Sequence, residues 1–195
     1  MDLFLAISQG TGLALATGVR PFLPPLLAGA LARADAGVDF SGTDFAFLES
    51  VPFLAAMLAL TAVATFAGPR TPSSVSVRVL GALAIVLGAV LFAGSMVQED
   101  YAAGPGLVAG ALVALVGFIA ATTFLEGARA RLAARGDQGS GSLISVYGDV
   151  AALGLTAIAA FAGPVSYLPL AFCLWLIAAR RRRAARKYEG LRVLR

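Results

Sequence analysis

Histidine is absent from this chain of 195 residues, and cysteine occurs once, as Cys173 in an apolar stretch. A single cysteine excludes an internal disulfide, and the lack of histidine excludes Cys/His zinc sites and catalysis by imidazole. Charged residues make up only 13% of the chain, about half of their share in soluble domains. Because 59% of the residues are hydrophobic and mean hydropathy is +0.86, the sequence predicts an integral membrane protein.

The sequence also lacks the motifs of most enzymes. It has no paired serine and histidine, no glycine loop followed by lysine for a nucleotide, and no carboxylate cluster suited to Mg²⁺. We therefore expect no enzymatic activity, no metal and no cofactor. Eight of the fifteen basic residues lie at or after Arg180, so the pI near 9.8 does not indicate a nucleic-acid partner.

Uncharged apolar stretches predict six transmembrane helices, since a helix needs about 20 apolar residues to cross a bilayer. Only Arg20 separates the first two stretches, which we join into one span, and the turn signal Gly163-Pro164 divides the last stretch in two. The stretches are residues 3–19, 21–32, 50–69, 79–98, 101–125 and 150–179, the last extended upstream to residue 142. The predicted fold is an all-α membrane bundle whose first helix is broken near Arg20-Pro21.

Basic residues are distributed unequally between the connecting segments. Residues 70–78, residues 127–141 and the tail carry thirteen Lys and Arg residues, whereas residues 33–49 carry one. The positive-inside rule therefore predicts that both termini are cytoplasmic. One lysine beside fourteen arginines is typical of a GC-rich bacterial genome, so we expect the bacterial inner membrane.

Two basic segments have further predicted roles. The tail from Arg180 to Lys187 stops translocation, and it is predicted to attract anionic lipid headgroups at about 1 kcal/mol per basic residue. Residues 129–135 are predicted to form a short basic helix on the membrane surface, followed by a flexible hinge at residues 136–141.

Two segments match each other at a spacing of about half the chain. Residues 59–69 read ALTAVATFAGP and residues 154–164 read GLTAIAAFAGP, with eight identities in eleven positions. With three spans in each half, the second half would be inverted, as in many secondary transporters. We predict two inverted three-helix repeats, residues 1–98 and 99–179, and a tail at residues 180–195. Chance similarity between Ala- and Gly-rich helices is the alternative.

Small residues recur at four-residue spacing in the first and fourth predicted spans. Such rows allow helix backbones to approach closely. We interpret them as packing contacts within the bundle, and a homodimer face is the alternative. The rows are Gly10, Ala14 and Gly18 in the first span and Gly106, Gly110 and Ala114 in the fourth.

Arg20 is the first charge in an apolar setting, with seventeen uncharged residues before it and twelve after it. At the centre of a bilayer it would cost about 2.5–3.5 kcal/mol, so it needs a polar cavity or a partner. Three prolines occur among the next five residues, and a second half-helix starting at Pro21 would offer unpaired N–H groups beside the guanidinium. These features, with Thr17 and Gly18, predict an anion site. The alternative is that Arg20 snorkels or pairs internally to hold the fold.

Asp149 is the second such charge, near the start of the fifth predicted span. Ser142, Ser145 and Asp149 are spaced by three and four residues and so share one helical face. Asp149 could neutralise Arg20, carry a proton or form a solvated helix end. We predict that the two charges meet beside a cavity open to water or lipid. The predicted substrate-binding residues are Arg20, Pro21, Thr17, Gly18, Asp149 and Ser145.

The stretch from Gly18 to Pro24 and the stretch from Ser142 to Val150 resemble two motifs of a family of small bacterial inner-membrane proteins, the domain of unknown function 4126. The first reads Gly-Val-Arg-Pro-Phe-Leu-Pro, and the second begins Ser-Leu and ends Gly-Asp-Val. The resemblance covers nearly the whole chain and implies a polytopic membrane protein whose marked residues are Arg20 and Asp149. It assigns no chemistry.

Two functions of different class fit these features. The first is a small transporter or flippase in which Arg20, at the broken helix, binds an anionic group such as a lipid phosphate or a small carboxylate. The second is an accessory or scaffolding membrane protein in which Arg20 and Asp149 lock the bundle. Scaffolding predicts a dry interior beside Arg20, whereas transport predicts an opening there.

Overall fold

The computed structural model describes residues 3–67, 74–133 and 140–189. Over these ranges the chain is helical and contains no β-strand, which confirms the all-α prediction. Short 3-10 segments lie at Ala46–Glu49 and Gly163–Ser166, and a π-helical turn, Val63–Ala67, continues the third helix. The α-helices are α1 (Leu3–Val19), α2 (Leu23–Arg33), α3 (Val51–Ala62), α4 (Ser74–Val97), α5 (Ala103–Ala133), α6 (Ser140–Phe161) and α7 (Tyr167–Glu189).

Four of these helices are long and apolar enough to cross a membrane, which supports a membrane protein. The qualifying segments are Val75–Val97, Ala103–Phe124, Ile144–Phe161 and Gly163–Arg182. The apolar segments Leu3–Val19 and Val51–Phe66 are shorter. The described residues therefore give four long spans, and the six predicted crossings are not confirmed.

Helix α1 lies at the centre of the bundle, packed against α4, α5 and α6. Eleven of its seventeen residues are buried, and small residues make this possible. A Cβ atom added at Gly18 would lie 2.2 Å from the carbonyl oxygen of Ala114, and one at Gly110 would lie 2.7 Å from that of Gly88. The small-residue rows are thus used for close packing within one chain, as predicted, rather than for a homodimer face.

Helices α1 and α2 form a hairpin that turns at residues 20–22. The side-chain amide of Gln9, early in α1, donates a hydrogen bond of 2.6 Å to the carbonyl oxygen of Gly37, just after α2. If α2 continued in the direction of α1, these residues would be about 40 Å apart at 1.5 Å per residue. The prediction of one interrupted first span is therefore wrong, because the chain reverses at the prolines.

The described chain ends lie at opposite ends of the bundle. Near the start of α1, the ring of Phe4 is 5.7 Å from that of Tyr167, the first residue of α7. Helix α7 then runs to the other end, where Arg180 donates a hydrogen bond to the carbonyl oxygen of Thr123. The predicted placement of both termini on one side does not fit these contacts, because the hairpin adds one reversal of the chain.

The segment at residues 34–50 folds over one end of the bundle. Its apolar side chains Val38, Phe40 and Leu48 are almost fully buried. The carboxylate of Glu49 accepts a hydrogen bond from the backbone N–H of Phe40, and the side chain of Phe40 packs on Gly94 near the end of α4. This segment, named the cap segment below, covers the end of the bundle opposite to the α1–α2 turn.

The helix contacts do not reproduce a symmetric pair of three-helix units. Helix α1 packs along α4, α5 and α6, whereas its predicted counterpart α5 packs extensively on α4 and α1 and makes fewer contacts with α6 and α7. Helix α3 packs mainly on α2, whereas α6, its predicted equivalent in the second half, packs mainly on α1. The inverted repeat is therefore not confirmed, and the division at residues 98 and 99 stays a prediction.

Two long helices extend beyond their predicted ends. Helix α5 continues without a break through residues 129–133, so the prediction of a separate surface helix is wrong for these residues. Helix α7 likewise continues to Glu189 and carries the first part of the basic tail. Residues 140 and 141 of the predicted hinge are helical, because they begin α6. The other hinge residues, 136–139, lie outside the described residues, as do residues 134 and 135 of the predicted surface helix, residues 190–195 of the tail and the side chains of residues 183–189.

Candidate functional site

The hairpin turn is produced by the residues around Pro21. Proline disfavours helical geometry in the residue before it, so α1 ends at Val19, although the N–H of Arg20 still bonds to the carbonyl oxygen of Ala16 at 3.0 Å. Helix α2 begins at Leu23 without a side-chain cap. The turn therefore places Arg20 between two helices, so that its side chain can point away from α1.

Arg20 is paired with Asp149 of α6. The distance from Nε of Arg20 to Oδ1 of Asp149 is 2.7 Å, and an η nitrogen of Arg20 donates to the carbonyl oxygen of Ser145 at 2.8 Å. The Nε–H bond is not aligned for a hydrogen bond with any acceptor of the described residues, so the contact to Asp149 is an ion pair by proximity. The predicted meeting of the two charges is confirmed.

Gly148 makes room for the guanidinium on the surface of α6. A Cβ atom at this position would lie 3.2 Å from both Nε and an η nitrogen of Arg20. A larger residue would therefore push the guanidinium away from the helix. Gly148 belongs to the second of the two sequence motifs, and the structure gives it a steric role.

Helix α3 forms the wall of the site opposite to α6. Thr61 and Thr65, one helical turn apart, both line the space in front of the ion pair, with Ala64 between them. The Thr61 hydroxyl donates to the carbonyl oxygen of Met57 at 2.8 Å. Thr65 and Ala64 belong to the π-helical turn that ends α3, and such turns are frequent at functional sites. Neither threonine was predicted from the sequence as a site residue.

A cavity of about 170 Å³ lies between these walls. This volume is below the ~300–1,000 Å³ of typical small-molecule pockets, so it suits a small ion or one headgroup rather than a large metabolite. The side chains of Arg20 and Asp149 are 26% and 31% exposed, which confirms that the pair lines an opening and is not sealed in a dry core. The lining residues are Arg20, Pro21, Phe22, Leu23, Thr61, Ala64, Thr65, Leu80, Ser145 and Asp149.

Two of the six predicted site residues point elsewhere. Thr17 is fully buried, and its hydroxyl donates to the carbonyl oxygen of Leu13 at 2.7 Å. Gly18 packs against α5. The error arose from sequence proximity, because Arg20 lies in the turn after α1 ends at Val19, so its side chain does not follow the helical face of Thr17 or of Gly18. Arg20, Pro21, Ser145 and Asp149 do line one cavity, whereas the side chain of Ser142 lies outside the described residues.

The N-terminus of α2 offers fewer backbone N–H groups to an anion than the sequence predicted. Helix α2 starts at Leu23 rather than at Pro21, and its next two residues, Pro24 and Pro25, have no backbone N–H. The N–H of Leu26 is bonded to the carbonyl oxygen of Phe22. Few amides are thus left for an anion, and the positive charge of the site comes mainly from the Arg20 guanidinium.

Arg20 and Asp149 are the two ionisable groups among the residues that line the cavity. Their formal charges cancel, so the described walls of the cavity carry no net charge in this state. In the part of the chain that the structure describes, no three His, Cys, Asp or Glu residues are grouped so that they could hold a metal ion. The chemistry available here is therefore ion pairing and hydrogen bonding around one guanidinium.

The comparison with protein families agrees with the motifs around Arg20 and Asp149. The family described as a domain of unknown function (DUF4126) matches residues 7–183, which include every residue of the cavity. No curated protein and no solved structure was found to be similar to the chain. Because the match extends from early in α1 to the basic end of α7, the chain belongs to the DUF4126 family of proteins with a domain of unknown function.

Proposed function

We propose that this membrane protein is a small transporter or flippase that binds an anionic group at Arg20. A phosphate diester, as in a phospholipid headgroup, and a small carboxylate are the substrate classes that suit one guanidinium in a small cavity. The observation that carries this proposal is that the Arg20–Asp149 pair is partly exposed in a cavity with hydroxyl groups on its opposite wall. A pair that serves stability alone has no need of such an opening.

The alternative is a scaffolding role, and one observation favours it. The pair ties the α1–α2 turn to α6, and α1 is the most central helix of the bundle. Removal of either charge would therefore disturb the fold as well as any ligand site. The opening beside Arg20 argues for ligand binding, because a purely structural ion pair would be enclosed in a dry, packed interior.

The cavity lies in the half of the bundle that faces the Arg-rich connections. Asp149 is five residues into the span that starts at Ile144, or about 7–8 Å from its end at 1.5 Å per residue. By the positive-inside rule this end is cytoplasmic, so the cavity lies at the level of the inner leaflet. The cap segment and the start of α1 then lie on the outer side, which agrees with the lack of basic residues before Arg20.

The proposal is tested by ligand binding to the purified full chain in an uncharged detergent. Dimethyl phosphate supplies the free phosphodiester and dihexanoyl phosphatidylglycerol supplies the same group on a lipid. We expect at least one of them to raise the melting temperature of the wild type and of Arg78→Gln, whose charge is exposed and does not line the cavity. Arg20→Gln should lose the effect.

The two ligands separate the possible sources of the anion. A response to both indicates a phosphodiester site, and a response to the lipid alone indicates that the acyl chains take part. Equal responses of wild type and Arg20→Gln to each ligand would show that Arg20 is not the binding residue and would favour the scaffolding role. No response from either protein would exclude a phosphodiester as the ligand.

A further inference from the structure

We propose that anion binding at Arg20 is coupled to protonation of Asp149, so that each anionic charge enters the cavity together with one proton. This inference rests on the proposed function, since it describes how the same site would release Arg20 for its ligand. It assigns Asp149 the role of an exchangeable counter-ion. It also names the proton as the coupling ion.

The geometry makes the two negative charges compete for one guanidinium. Oδ1 of Asp149 is 2.7 Å from Nε of Arg20, and an η nitrogen is already bonded to the carbonyl oxygen of Ser145. An anion that reaches the guanidinium from the cavity comes within a few ångströms of the carboxylate. Two like charges at that distance in a poorly solvated site repel strongly, so the anion binds well only when the carboxylate is neutral.

The described surroundings of Asp149 contain no other charged group that could neutralise Arg20 in its place. Helix α3 has no ionisable residue between Val51 and Ala67, and Arg33, the ionisable residue of α2, lies at the opposite end of that helix. Helix α5 has none between Ala103 and Leu125, and the side chains of Glu126, Arg129 and Arg131 near its end lie outside the described residues. On α4 and on α6 itself, Arg78 and Tyr147 are exposed and do not line the cavity.

The charge balance is the same before and after exchange. In the resting state the guanidinium cation faces the carboxylate anion, and the pair is neutral. A proton from the aqueous phase then joins a carboxylate oxygen of Asp149, while Arg20 keeps its own protons because a guanidinium is not deprotonated in proteins. The bound monoanion takes the place of the carboxylate charge, so the loaded cavity is again neutral, which keeps its cost in a membrane low.

Partial exposure of Asp149 allows the proton to arrive. Its side chain is 31% exposed and lines the cavity, so the carboxylate is accessible from the cavity without a rearrangement of the bundle. The Arg20 side chain is 26% exposed and lines the same cavity. Both partners of the pair are therefore able to change their contacts.

The test is calorimetric titration of the full chain with dimethyl phosphate between pH 5 and pH 8, a range in which the charge of this ligand is constant. We expect the affinity of the wild type to rise as the pH falls, by up to about tenfold per pH unit. Titrations in two buffers of different ionisation enthalpy should show uptake of close to one proton per anion. Asp149→Asn should bind with an affinity that is independent of pH, and without proton uptake.

Asp44→Asn is the matched control, since Asp44 is an exposed carboxylate of the cap segment and should leave the pH dependence unchanged. Binding by the wild type without pH dependence or proton uptake would overturn the coupling while leaving the anion site in place. Dependence on sodium instead of protons would overturn it as well. Absence of binding in both the wild type and Asp149→Asn at every pH would refute the anion site itself.

Discussion

Asp149 holds the guanidinium of Arg20 against α6 at the point where the first helix of the chain turns back on itself. One side chain comes from a proline-rich turn and the other from the interior of a long helix in the second half of the chain. The contact therefore joins the two halves at a cavity rather than in the tightly packed core. Its contribution to stability and its contribution to binding are separable by mutation.

A double-mutant cycle measures the structural part of this contact. Arg20→Ala and Asp149→Ala should each lower the free energy of unfolding by about 1–2 kcal/mol, because each leaves one charge without its partner at a partly exposed site. The double variant should lose less than the sum of the two. Equilibrium unfolding in mixed micelles gives the three values, and strictly additive losses would show that the pair is not coupled energetically.

The close approach of α1 and α5 predicts a steric effect at Gly18. In Gly18→Ala the new Cβ would meet the backbone carbonyl oxygen of Ala114 at 2.2 Å, so the helices would have to separate. We expect a loss of about 1–3 kcal/mol in stability. Gly154→Ala is the control, since a Cβ there meets nothing within 4 Å and should leave the protein as stable or slightly more stable. Equal melting temperatures for the two variants would contradict the packing described.

The hairpin predicts which positions share a side of the membrane. Single cysteines at Phe4 and Asp44, introduced into a chain with Cys173→Ala, should react with an impermeant thiol reagent from the same side. A cysteine at Arg182, at the other end of the bundle, should react only from the opposite side. Labelling of Phe4→Cys and Arg182→Cys from one side would instead restore the topology with both termini together.

Filling the cavity should reduce binding without unfolding the protein. Ala64→Leu adds three carbon atoms to the wall that faces the ion pair, and we expect the affinity for dimethyl phosphate to fall by about tenfold, or about 1.4 kcal/mol. Val63→Leu is the matched control, because Val63 is exposed and does not line the cavity. The measurement is calorimetric titration beside a thermal melt. An affinity that is unchanged in Ala64→Leu would place the ligand elsewhere.

The break in the first helix could be read from the sequence, but its direction could not. Three prolines after Arg20 are incompatible with an uninterrupted helix, and the structure has its turn there. Hydropathy is the same whether the chain continues or reverses after such a break. The reversal depends on contacts such as Gln9 with Gly37, which join residues on opposite sides of the turn.

The ion pair of the site was predictable, because an unpaired charge in apolar surroundings costs much free energy. A guanidinium and a carboxylate in apolar surroundings each need a partner, so the pairing of Arg20 with Asp149 followed from energetics. Thr61 and Thr65 carry no such requirement, since a threonine satisfies its hydroxyl within its own helix. Their only signal was a spacing of four residues in an otherwise apolar stretch, which becomes meaningful once the cavity is known.

The burial of α1 has a consequence for the order of biosynthesis. The ribosome makes α1 before α4, α5 and α6, the helices that surround it. Its hydroxyl groups at Ser8, Thr11 and Thr17 bond to carbonyl oxygens of the same helix, so the nascent helix can reside in lipid without partners for them. Arg20 instead needs a counter-ion, and that counter-ion, Asp149, is synthesised only with α6. A chain stalled before α6 would expose a lone guanidinium, the kind of lesion by which membrane quality-control proteases would recognise an unfinished molecule.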